Sequence, residues 1–198
     1  MNSRRPVNSA VRRLTMDRAL KRRQSERVKR KFTRELSGFG FSRTKASFWT
    51  RPRELFIEFI HLHQFTFAPA FRVHVGIRVL NDTFEAIALT GLTTNDGWYG
   101  ETRQYSFEFD ASEASVDRCA TELTRFCADI ADPWLRENHD VRHLLSHGSP
   151  LAPEAKKRLQ LAVDGSSDIA CVEVSRTLLG VAEQVVGPEP REATSHHS

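Results

Sequence analysis

Between Phe71 and Val79 every second residue is apolar, with Arg72, His74 and Arg78 interleaved. A period of two puts Phe71, Val73, Val75, Ile77 and Val79 on one face of a strand; a helix would need repeats of three or four. Immediately before it, Glu54 to Gln64 is apolar on both faces, with Leu55, Ile57 and Phe59 on one and Phe56, Ile60 and Leu62 on the other. A strand of that kind belongs in the middle of a sheet. Phe48-Trp49-Thr50-Arg51, closed by Pro52, reads as a shorter strand, and Phe84–Leu89 and Gln104–Phe109 as two more, with turn chemistry at Thr93-Thr94-Asn95-Asp96-Gly97. Consecutive strands with short polar joins predict an antiparallel meander of about four to five strands.

Helical periods flank this block. From Met16 to about Leu36, with Thr15 as N-cap and Asp17 in the first turn, Leu20, Val28, Phe32 and Leu36 make a narrow apolar stripe. Gly38 is the expected residue of positive φ that ends it. After Asp110 or Ser112, residues Val116, Cys119, Leu123, Phe126, Cys127 and Ile130 form a second stripe, which Pro133 should halt, with Trp134 and Leu135 pinned to the core. Two further helices are expected, Pro153–Val163 stopping at Gly165, and one from Ser167 or Asp168 through Ile169, Val172, Leu178, Leu179, Ala182 and Val186 to Gly187. The pattern as a whole predicts an α+β fold. A basic N-terminal helix leads into the antiparallel meander, a helix packs on the sheet, and a helical extension follows. The expected division is a flexible basic arm over 1–15, a core over 16–138, an extension over 139–187 and a polar tail over 188–198.

Charge is divided unevenly. Residues 1–31 hold twelve Lys and Arg against Asp17 and Glu26, a balance of +10, whereas the remainder carries −6. Thirteen Phe and three Trp supply a core. The three cysteines, Cys119, Cys127 and Cys171, have no CxxC or zinc-type spacing, which predicts buried thiols in a reducing compartment. No run approaches the roughly 18 apolar residues of a membrane span, and no apolar segment follows the Arg-rich start. These features lead to the expectation of a cytoplasmic protein that does not enter a membrane.

The order of motifs resembles a bacterial family known as a domain of unknown function, number 4304. The matching residues are Leu36 with Gly40-Phe41, Phe48-Trp49 with Arg51, Gln64, Gly76-Ile77, Trp98-Tyr99 and Pro133-Trp134-Leu135, over about residues 16–138. The resemblance implies an α+β fold and a bacterial source. It implies no catalytic residues and no cofactor. Similar small domains near toxin and defence genes make an immunity-type or interaction role its functional implication.

Three sets of residues bear on chemistry. Arg12, Arg13, Arg18, Lys21, Arg22, Arg23, Arg27, Lys29, Arg30 and Lys31 could neutralise phosphates without reading sequence, or could simply form a solvated helix face. His61 and His63 share a strand face, with His74 on the next strand, an arrangement open to a three-imidazole metal site or to ordinary strand histidines. His139, His143 and His147 fall four apart, which on a helix aligns them, but no Glu completes an HExxH motif. No GxSxG, P-loop or dinucleotide turn occurs. The leading expectation is a non-enzymatic binding module with a protein partner. A nucleic-acid binder acting through residues 12–31 is the alternative, and a metal-dependent enzyme using the strand histidines a second one.

Overall fold

The computed structural model describes residues 17–89, 91–94 and 105–182. The element order is α1 (Arg18–Leu36), β1 (Ser42–Lys45), β2 (Phe48–Pro52), β3 (Phe56–Gln64), β4 (Phe71–Val79), β5 (Leu92–Thr93), α2 (Glu113–Phe126), α3 (Asp132–Glu137), α4 (Val141–Leu145), α5 (Pro153–Val163) and α6 (Ile169–Leu179). The five strands form one antiparallel sheet in chain order, so the chain is the α+β meander expected, with β3 at its centre. The arm over 1–15, the tail over 188–198 and the predicted caps Thr15 and Gly187 lie outside the described residues, as do Arg12, Arg13, Trp98, Tyr99 and Val186.

The register assigns every strand residue to a face. Trp49, Ile60, Leu62, Val73, Val75 and Leu92 lie on one face and pack against Val28, Phe32 and Leu36 of α1 and Val116, Cys119, Leu123 and Phe126 of α2. Farther along the same face, Phe56 and Val79 meet Leu144, Leu151 and Leu159 of the C-terminal helices. On the reverse face Ile57 and Phe59 join Leu80 and Leu179, so α6 covers one end there. Among the described residues His61, His63, Arg72, His74 and Thr93 occupy the other end of that reverse face.

Local details depart from the sequence reading for identifiable reasons. Asp17 is itself the N-cap of α1, accepting from the Ala19 amide. Gly38 does not end that helix: a 3₁₀ turn over Ser37–Phe39 extends it, and Gly40, at φ 79°, takes the left-handed position. Pro133 does not halt the helix after the sheet, because a π-helical turn, Cys127–Ala131, carries the Asp132 amide to the Cys127 carbonyl and places Pro133 in the first turn of α3, where its missing N–H costs nothing. The last helix ends at Leu179 with Gly180 at φ 68°, before Ala182. Phe84–Leu89 is not a strand; the carbonyls of Asp82, Phe84 and Ala86 turn instead onto the Arg78 guanidinium. Arg78 is therefore buried, not solvent-facing, with Ser175 Oγ 3.0 Å from its Nε and Asp82 beside it. Of Gln104–Phe109, the described part makes one bridge, Glu108 to Ala70, with Phe107 and Phe109 buried. Leu92–Thr93 and Ser42–Lys45 are the two edges that the pattern did not reveal. Among the described residues no helix is long and apolar enough to cross a membrane.

Candidate functional site

Packing of α1 on the sheet sorts its cations into two groups. The Lys21 ammonium donates to the Phe65 and Thr66 carbonyls at 2.7 and 2.9 Å. Arg27 pairs with Glu113, and Lys31 with Asp117 and Glu113, which ties α1 to α2. Lys29 is buried with its Nζ 6.0 Å from the centre of the Phe71 ring, and desolvation lowers its pKa. These four are engaged inside the fold. Arg18, Arg22, Arg23 and Arg30 are exposed and have no ion pair among the described residues. Arg34 joins them, although it lies beyond the continuous basic run, which closes at Lys31. At 3.6 residues per turn, Arg22, Arg23, Arg30 and Arg34 fall within an arc of about 120° on the outward side. Arg18, Arg22, Arg23 and Arg30, with Asp17, Ala19 and Glu26, also line a shallow hollow. Of the two acids among them, Glu26 is turned to Arg43 at 2.5 Å and Asp17 accepts from the Ala19 amide at 2.7 Å.

The strand histidines do come together on one face. His61 stands opposite His74 and His63 opposite Arg72, with Phe48 and Thr93 continuing the row on the flanking strands. The His61 ring stacks on Phe48 at 4.2 Å and on His74 at 5.7 Å, 22° from parallel in the latter pair. Burial, aided by the repulsion of neighbouring His74, His63 and Lys29, lowers the His61 pKa to about 4; burial also lowers that of His74, so both are neutral at neutral pH. Their Nδ1 atoms, Arg72 Nε and Thr93 Oγ1 are shielded from solvent, with no hydrogen-bond partner among the described residues. Among the described residues no group of three or more His, Cys, Asp or Glu is placed to hold a metal ion. His61 and His74 stack and His63 meets His61 edge-on.

Other candidates resolve into structure. His139, His143 and His147 do not share a helix, since α4 runs only from Val141 to Leu145; His139 precedes its Asp140 N-cap, and the backbone turns extended at Ser146. Cys119 and Cys127 are buried, and desolvation pushes the Cys119 thiol up to about 12 and the Cys127 thiol higher still, so neither supplies a thiolate. The buried Glu58 is held by Arg51 at 2.5 Å and Arg53 at 3.1 Å, and Arg51 reaches on to Asp132 at 2.8 Å. This chain of charges fastens β2 and β3 to the start of α3, a structural task for which charged partners are needed once the groups are buried. No family model, curated protein or solved structure matches the chain, so the likeness to family 4304 rests on its motif residues alone.

Proposed function

We propose that this domain is a non-enzymatic binding module whose ligand is nucleic acid, held through the phosphate backbone on the outward face of α1. The observation that supports this reading is the division of the α1 cations. Lys21, Arg27 and Lys31 are paired within the fold and Lys29 is buried beside Phe71, while Arg18, Arg22, Arg23, Arg30 and Arg34 are exposed without carboxylate partners among the described residues. Arginine presents a planar fork of donors suited to phosphate oxygens. No base-reading geometry accompanies it, so binding is salt-sensitive and indifferent to sequence. The test is fluorescence anisotropy of a labelled duplex with the full chain and with a variant carrying Arg22→Glu, Arg23→Glu and Arg30→Glu. Binding by wild type that the variant loses, with its melting temperature retained, supports the proposal; equal affinity of the two proteins, or none in either, refutes it.

A protein partner, on which the immunity-type or defence-associated role implied by the resemblance would depend, has its own observation. Helix α6 carries Ile169, Ala170, Cys171, Val172, Val174 and Leu178, yet its buried residues are only Ser175 and Leu179. Ile169 and Val174 are 75% and 43% exposed. A helix apolar on most sides is normally covered. Co-purification of a protein with wild type, lost with Ile169→Asp and Val174→Asp, would favour this second reading.

A further inference from the structure

We propose that the half of the reverse sheet face left uncovered by α6 is a base-stacking site for single-stranded nucleic acid. It rests on the nucleic-acid reading of α1 for the class of ligand, but on different residues. Aromatic rings run in contact from the sheet to the tip of the β3–β4 hairpin. His61 stacks on Phe48, His63 lies 6.4 Å from His61, Phe65 5.9 Å from His63, and Phe67 5.3 Å from Phe65. The Arg72 guanidinium sits 5.1 Å over Phe65. Phe67 is 88% exposed and His63 is also open to solvent.

A single exposed phenylalanine is ordinary. A continuous line of rings with a guanidinium across it is the chemistry that single strands require, because every base offers a π face and the backbone needs a cation. From His61 to Phe65 the strand advances about 13 Å, room for two or three bases. The His61 ring is already stacked on Phe48 and His74, so the rings open to a base are those of His63 and Phe67. The row itself contains no carboxylate, and among the described residues Glu108 is bridged to Ala70 beside the β3–β4 hairpin. Finally, the hairpin that bears Phe65 and Phe67 is fastened to α1 by Lys21, next to exposed Arg18 and Arg22. A strand held by those arginines can therefore pass over the hairpin onto the rings.

The experiment compares the full chain binding a labelled oligothymidylate of about 16 nucleotides with a duplex of equal length. Wild type should favour the single strand. His63→Ala with Phe67→Ala should weaken single-strand binding by at least about fivefold, the lower bound for one lost stacked base, and leave duplex binding unchanged. Phe67→Trp should keep the affinity, and its fluorescence should be quenched by the oligonucleotide. If the double variant binds the single strand as wild type does, the stacking site is overturned and the α1 reading stands. If neither nucleic acid binds wild type, both fall.

Discussion

Phe126 shows how a side chain read from periodicity acquires a definite role. Its ring lies edge-on to Tyr105 and Phe107 at 5.6 and 5.8 Å, with 1% of its surface exposed. Phe126→Ala should cost about 3–5 kcal/mol in chemical unfolding, and a loss below about 0.5 kcal/mol, a surface-like value, would place α2 wrongly. At Gly76, opposite Phe59, a Cβ would stand 2.5 Å from Phe59 Cζ, so the aromatic ring lies across the glycine and has no room for alanine. His61 makes a pH prediction. Its pKa falls from the ordinary 6.5 to about 4 in the fold, so between those values the unfolded chain binds more protons. Stability contributed by the neutral ring is present above pH 6.5 and is lost as pH falls toward 4. Thermal melts of wild type should therefore drop more steeply over that window than those of His61→Phe; parallel curves would deny the desolvated, charge-crowded environment. These roles were visible in the sequence only as far as alternation reaches. It put His61 and His63 on one face and His74 on the next strand, but the register that sets His74 beside His61, the ring stacking and the burial depend on strand pairing.

Within α1 the important distinction is between cations that hold the fold and cations that face outward. Lys29→Glu should destabilise by at least about 2 kcal/mol, since it places a carboxylate in a buried position beside the Phe71 ring. Arg30→Glu should stay within about 0.5 kcal/mol of wild type; equal effects in urea denaturation would contradict the division. Sequence treated these two residues alike, because a run of Lys and Arg does not record which side meets the sheet. The other elements show the same boundary. The two-faced apolar run over β3 and the alternation of β4 were legible because local period fixes them. Arg78 was not, because its burial is produced by α6, nearly a hundred residues later, together with the carbonyls of the 82–86 segment. Nor were the edge strands β1 and β5, which are too short to show a period and exist by pairing with β2 and β4.

On the scale of the whole chain, the sheet is enclosed by segments from both ends. Helices α1 and α2 cover one face, the α4–α5 pair closes over Phe56 and Val79, and α6 covers Ile57 and Phe59. A chain ending at Asn138 would expose those four side chains, and it should bind a hydrophobic dye and elute as aggregate in size exclusion; a monomeric, cooperatively melting fragment would show the C-terminal helices to be dispensable. Among the described residues the enclosure leaves open the arginine side of α1, the aromatic row and the apolar side of α6. The central claim, that outward arginines contact phosphates, is tested most directly by the salt dependence of duplex binding. Each phosphate contact contributes about 0.9 to the slope of log K against log salt. Arg22→Ala and Arg30→Ala should each reduce the slope by about that amount, while Lys31→Ala, whose ammonium is held by Asp117 and Glu113, leaves it at the wild-type value. Slopes unchanged by the arginine substitutions, or lowered equally by Lys31→Ala, would contradict the account.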